Sequence, residues 1–171
     1  MYIRKGQLKD IPEIMRVIEI GRKYMRDCGN TVQWSNGYPS EEQIANEINK
    51  EQFFVWCCEE KCEGEKETKE SIHGVFSFII GKDPTYDRIE GGKWLNNDPY
   101  GTIHRMANDG TFGGMFKECL EFCKGKVGNI RMDTHEINIH MRRLAVDCGF
   151  TECGIIYVAD GTPRVAYQLI V

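Results

Sequence analysis

An α/β domain of the α+β kind is what the sequence predicts, with elements in the order β α α β β β α β α β β, and three observations predict it. Segments with apolar residues at helical spacing alternate with short aromatic and β-branched runs instead of filling the chain. A glycine-rich turn, residues 108–114, joins a strand to a helix in the last third. The composition, 41% apolar and 28% charged over 171 residues, is enough to bury a core as one domain spanning 1–171.

Met1 to Gly6 reads as a short first strand. Asp10 with Glu13 makes a cap-like start to a helix, with Pro12 in its first turn and Ile11, Ile14, Met15, Ile18 and Met25 at helical spacing. Gly29-Asn30 ends it. Ser40-Glu41-Glu42-Gln43 has the form of a capping box and opens a second helix whose Ile44 and Ile48 share a face. Between the two lies a turn-rich stretch carrying Trp34 and Tyr38.

Phe53 to Cys58 and Ile72 to Ile80 are strands by their aromatic and β-branched content, joined by the Glu- and Lys-rich stretch Glu59 to Ser71, read as a solvated hairpin loop. Lys82 to Tyr100 is a long connection carrying Tyr86, Gly91-Gly92 and Trp94, and connections of that length tend to be functional. Ile103 to Ala107 is the next strand, Met115 to Phe122 the third helix, and Asn129 to His135 a further strand. Asn138 opens the fourth helix, which Gly149-Phe150 follows. Glu152 to Val158 and Arg164 to Val171 close the chain around a turn at 160–163.

The turn Asn108-Asp109-Gly110-Thr111-Phe112-Gly113-Gly114 is where chemistry first shows. Backbone N–H groups there, with the positive end of the helix behind them, form a cradle for phosphates, which points to a coenzyme-binding enzyme. Other classes recede. A net charge of −4, with adjacent cationic pairs in the helices only at Arg22-Lys23 and Arg142-Arg143, speaks against a nucleic-acid partner. No apolar run approaches the roughly 18–20 residues that span a bilayer. No secretory signal is visible, so the expected compartment is the cytoplasm and the eight cysteines are expected as reduced thiols. Cys57, Cys58, Cys62 and His73 lack the paired spacing of a zinc site, so no metal is assigned, and Cys119 and Cys123 share a helical face as small core residues.

The element order and the residues of the third and fourth helices resemble the GNAT superfamily of acyl-CoA-dependent N-acetyltransferases, over essentially the whole chain. The strings Tyr100-Gly101-Thr102-Ile103-His104-Arg105, Asp133-Thr134-His135 and Gly154-Ile155-Ile156-Tyr157 resemble a bacterial subgroup acting on small molecules. The resemblance implies a mixed, mostly antiparallel sheet flanked by about four helices and splayed near Met106-Ala107. Acetyl-CoA would lie in the opening as co-substrate, its pyrophosphate on Thr111, Phe112, Gly113, Gly114, Met115 and Phe116. These residues stand where the family carries Arg/Gln-x-x-Gly-x-Gly/Ala; Gly114 matches, while Phe116 takes the second small position. Asn138, Leu144 and Gly149-Phe150 fit the family's later motif, and Asn138 and Met141 are the other coenzyme contacts that the resemblance implies. Ala145 stands where many members place the tyrosine that protonates the leaving thiolate.

Amide formation needs a neutral amine, and a lysine-like amine with pKa about 10.4 costs roughly 4–5 kcal/mol to deprotonate at pH 7. The base candidates are His104, on the strand lining the expected cleft, and His135, just after a strand and beside Asp133. Each is alternatively a packing histidine. Tyr157 is the candidate acid in place of the missing tyrosine, and the backbone N–H of Met106 or Ala107 the oxyanion donor. Trp34, Tyr38, Tyr86 and Trp94, all in loops, are candidates for holding a cationic amine, or else pin those loops to the core. The expectation is acetyl transfer to a small-molecule or amino-acid-like amine, by a monomer or homodimer. A catalytically silent domain that senses CoA or a metabolite is the alternative.

Overall fold

The computed structural model describes residues 1–61 and 68–171. Among them a seven-stranded sheet runs in the order β1-β2-β3-β4-β5-β7-β6. The strands are β1 (Tyr2–Lys5), β2 (Phe53–Lys61), β3 (Thr68–Ile80), β4 (Gly101–Asn108), β5 (Asn129–Thr134), β6 (Thr151–Tyr157) and β7 (Pro163–Ile170). Every neighbouring pair is antiparallel except β4 and β5, which run parallel. Helices α1 (Ile11–Asp27) and α2 (Glu41–Asn49) cover one face, and α3 (Met115–Lys124) and α4 (Ile139–Asp147) the other. This is the mixed, mostly antiparallel sheet with four helices that the resemblance implied.

Local chemistry explains the boundaries. Ser40 Oγ accepts from Gln43 N while the Gln43 side chain accepts from Ser40 N, so the capping box forms as read. Asp10 instead leaves the helix end and pairs with Arg4 at 2.6 Å. Alternation along each strand then sorts the core. Ile103, Ile130, Met132, Val165 and Tyr167 face α3 and α4, where they meet Phe116, Leu120, Ala145 and Phe150. Val55, Val75 and Ala107 face α1 and α2.

The connection from Lys82 to Tyr100 lies packed on the sheet beyond α1 and α2. Glu90 pairs with Ile155 of β6 through reciprocal 2.8 Å backbone bonds. Gly92 lies so close to the Cys153 carbonyl that a Cβ there would stand 2.1 Å from its oxygen. Tyr86 and Trp94 stack at 5.5 Å, and Arg131 lies 4.0 Å from both the Trp94 and Tyr100 rings. Asn96 links Asn129, Arg131 and Gln168 from above.

Two irregularities shape the middle of the sheet. The β4–β5 ladder stops at Ile103↔Met132, so the backbone of β4 that faces β5 beyond that point has no strand opposite it. On its other side β4 carries a bulge, because Val75 pairs with Ala107 while Ser77 pairs with His104. Arg105, at the bulge, adopts φ +52, a left-handed conformation costing about 1–2 kcal/mol outside glycine.

Candidate active site

The bulge puts consecutive residues of β4 on the same side of the sheet. His104 meets Asp83 and Asp133, and Arg105 pairs with Glu47 of α2 and lies 5.4 Å from the Tyr38 ring. Strict alternation would have sent one of them toward α3 and α4. Ser77 donates to the other Glu47 oxygen, so the carboxylate that holds Arg105 is itself held.

His104 and Asp133 are the first residues past the last β4–β5 pair, one on each strand. His104 Nε2 lies 3.0 Å from Asp83 Oδ2. Burial works to raise the Asp83 carboxyl, but the His104 hydrogen bond and the Thr85 amide outweigh it and hold it down at about 2. Asp83 is therefore an acceptor, and His104 Nε2 donates to it. The other ring nitrogen, Nδ1, faces Asp133 Oδ1 across 3.8 Å. Oδ1 already accepts from the Tyr86 hydroxyl at 2.5 Å, and burial followed by the Asp133 charge pushes that phenol well up and keeps it protonated. On the far side Arg164 Nε stands 4.0 Å from Asp133 Oδ2. His104, Asp133 and Arg164 thus form a row across β4, β5 and β7 at the split.

The glycine-rich turn follows the C-terminal end of β4, past the split, and leads into α3. Asn108 and Asp109 side chains accept from the Gly110 and Thr111 amides at 2.9 and 3.0 Å, and Asp109 is tied to His73 at 3.0 Å. The Thr111 amide is thereby satisfied within the protein, which removes it from the expected phosphate donors. Gly113 and Gly114 give their amides to no described acceptor, and the first-turn amides of Met115 and Phe116 have none within the helix. A Cβ added at Gly113 or Gly114 would meet nothing within 4 Å, so protein packing does not account for either glycine. Gly114 has a reason in its φ of +90, whereas Gly113 has no positive φ.

The other sequence-derived candidates fall as follows. The Phe116 side chain is buried against Phe150, at 6.3 Å, and does not obstruct the turn. The Met115 side chain is buried with its sulfur against Gly74, and the Phe112 ring packs edge-on to His73 at 4.8 Å. Met106 packs toward α3 and α4, Ala107 toward α1. Asn138 caps α4 by accepting from Met141 N at 3.2 Å, and Met141 packs against the core. Ala145 is wholly buried, so its position offers no path to the split.

His135 is buried, its Nδ1 accepting from Ile137 N at 3.3 Å. Burial and then Arg164 lower its basicity, so it is neutral and stands beside the row, not in it. Tyr157 lies on the outer edge strand β6 with β7 and β5 between it and β4, and its hydroxyl donates to Glu90 at 3.0 Å; the structure does not bring it to His104. Trp34 packs with the α1 and α2 core against Gly21 and Ala107. Tyr86 and Trp94 secure the 82–100 connection, the Trp94 indole donating to the Tyr86 carbonyl at 3.0 Å. Of the four loop aromatics Tyr38 alone keeps a half-open ring beside a residue at the split.

Among the described residues no cluster of three or more His, Cys, Asp or Glu is arranged to hold a metal, and Cys62 lies outside them. No described helix is long and apolar enough to cross a membrane. Asp83, Asp133, Glu47 and Arg164 were not among the expected site residues. Two signals for them stand in the sequence. Arg164 begins the inward series Arg164, Ala166, Gln168 of β7, and Glu47 sits next to the apolar stripe of α2.

No protein-family model and no curated protein sequence matches the chain. Solved structures do. A GNAT-family acetyltransferase from Listeria monocytogenes 4b F2365 superposes with a TM-score of 0.69 at 19% identity, covering 99% of this chain and 94% of that one. A ribosomal-protein-alanine N-acetyltransferase from Brucella melitensis shares the fold at TM-score 0.55 and 18% identity, over 100% of both chains. A GNAT-family acetyltransferase from Streptococcus agalactiae 2603 is 30% identical with a TM-score of 0.84, over 99% of this chain and 95% of that one. With that identity over the full length, and with a sheet that splits between β4 and β5 above an open glycine turn, the chain belongs to the GNAT family of acetyltransferases.

Proposed function

We propose that the protein is an N-acetyltransferase that moves an acetyl group from acetyl-CoA to the primary amine of a small molecule. The observation that carries this is His104, held by Asp83 through Nε2, with Nδ1 facing Asp133 Oδ1 at 3.8 Å at the point where the sheet opens. With the imidazole neutral, Nδ1 and Asp133 Oδ1 are both acceptors, and an entering ammonium group can donate to both. The coenzyme fits the remaining features: the amides of Gly113, Gly114, Met115 and Phe116 are free to hold a pyrophosphate, and Phe116 leaves the turn clear. When bound, it supplies an acyl group activated as a thioester.

The chain's own residues do the rest. Asp83 fixes the His104 ring and its tautomer, Nδ1 takes the proton from the incoming ammonium, and Asp133 orients that ammonium. Backbone N–H groups of β4 past Ile103 are the oxyanion donors. Tyr38 and Arg105 wall the amine side.

Thiol release from acetyl-CoA with primary amines, followed from pH 6 to 9, tests this. In H104Q, kcat/KM should fall about 10²–10⁴-fold at pH 7 and recover as pH approaches the amine's own pKa. A wild-type rate in H104Q at pH 7 would overturn the role of His104. No thiol release with any amine, in protein that binds CoA, would favour the sensor reading.

A further inference from the structure

Arg164 is largely buried, yet one edge of its guanidinium is left without a hydrogen bond. It is 7% exposed, at the start of β7 and just past the last residue of β7 that pairs with β5. Nη1 is committed, donating to Thr162 Oγ1 at 2.8 Å and to the Pro163 carbonyl at 2.9 Å. Thr162 is in turn fixed by Asp160, at 2.6 Å, so one side of the guanidinium is anchored to the β6–β7 turn. The Nε and Nη2 edge makes no described hydrogen bond. Its nearest charge, Asp133 Oδ2, is 4.0 Å from Nε, beyond bonding distance. Neither Nε nor Nη2 is among the enclosed side-chain atoms left without a partner, so this edge is open and can receive a planar anion, the group a guanidinium fork matches. The neighbouring imidazole of His135 is held neutral, by burial and by Arg164 itself, and supplies no anion.

We propose that the acceptor amine carries a carboxylate next to it, received by the Nε and Nη2 edge of Arg164: an α-amino acid or a close analogue. This rests on the transferase reading. The placement sets the span. The ammonium belongs beside Asp133 Oδ1, where His104 faces it, and Arg164 stands on the Oδ2 side of that same carboxylate. The ligand's two charged groups must therefore lie close together, which fits groups on one carbon and not at the ends of a long chain. A free amino acid satisfies this. Its carboxamide, its decarboxylated amine and the N-terminus of a peptide do not, since each lacks the carboxylate that matches the open edge of Arg164.

The test is calorimetric titration of the whole protein with α-amino acids, each beside its carboxamide and its decarboxylated amine, paired with thiol-release rates for the same compounds. The wild type is expected to bind the effective acid at least about tenfold more tightly than its carboxamide. In R164Q that ratio should collapse toward one. R164K, which keeps the charge but loses the fork, should restore only part of it. Equal affinity for acid and carboxamide in the wild type overturns the proposal, as does an equal loss of both in R164Q or a failure of every acid to bind. If R164Q does not fold, the wild-type ratio decides alone. Acid-selective binding without thiol release would remove the transferase reading and leave the carboxylate site; acetylation indifferent to the carboxylate would do the reverse.

Discussion

Replacing Gly113 by alanine separates what the protein needs for folding from what it needs for its coenzyme. A Cβ built at Gly113 meets no atom within 4 Å and the residue has no positive φ, so the folded state should accept alanine without strain. The unfolded chain loses freedom in the exchange, which stabilises the native state by about 0.4–1 kcal/mol. For a chain of 171 residues that is a rise in Tm of about 1–4 °C. Gly114 is the control: its φ of +90 makes alanine cost about 1–2 kcal/mol there. If the turn holds a pyrophosphate, a methyl on Gly113 keeps phosphate oxygens from its amide. Loss of one charge-assisted hydrogen bond, about 1.5–3 kcal/mol, weakens CoA binding roughly 10- to 150-fold. Differential scanning fluorimetry gives the first quantity and calorimetric titration with CoA the second. A G113A protein that binds CoA like the wild type would refute the cradle.

Three further outcomes follow from particular contacts. A145Y, which restores the family's tyrosine, should overpack a wholly buried site and destabilise by at least about 2 kcal/mol in urea; a stable variant with faster thiol release would show that this position does reach the split. Asp83 has its carboxyl held at about 2 against an ordinary 3.8, so its contribution of about 2 kcal/mol is present above pH 4 and lost as pH falls through 2. D83N should flatten that part of the urea-midpoint profile, and parallel profiles would argue against the His104–Asp83 bond. G92A, whose Cβ would stand 2.1 Å from the Cys153 carbonyl oxygen, should cost about 1–3 kcal/mol because backbone cannot move aside as a flexible side chain would; an unchanged urea midpoint would mean the 82–100 connection does not dock on β6.

Periodicity and capping chemistry make most of the fold readable in advance. Ser40 with Gln43, the apolar stripe of α1 and the strand runs at Phe53 and Ile72 are local signals, and local signals survive folding. The site is less readable because its parts come from separate elements. His104 was visible as a strand histidine, but nothing near it in sequence says that Asp83, 21 residues earlier, fixes its ring. Asp133 drew notice as a neighbour of His135, yet the ladder ending at Met132 is what puts it opposite His104. Tyr86 and Trp94 look like ligand-binding aromatics because they lie in a loop; a loop that docks on a sheet buries its aromatics, and these two bury against Arg131 and Tyr100. Tyr157 fails for the matching reason, since a tyrosine's strand is readable and that strand's place in the sheet is not.

The bulge at Arg105 ties these observations together. A regular β4 would turn His104 and Arg105 to opposite faces, and the split would lose one of them. Keeping both on one face costs a left-handed residue, about 1–2 kcal/mol. That cost is offset by the Glu47 ion pair, itself secured by Ser77, and by the Tyr38 ring. The same residues that relieve the strain also bound the cleft. The parting of β4 from β5 works similarly: it gives up ladder hydrogen bonds past Ile103, and in exchange leaves backbone groups of β4 without a strand opposite them beside His104 and Asp133. A chain under selection for stability alone would close that gap. The parts left unsatisfied here are those that an amine and an acyl group can satisfy.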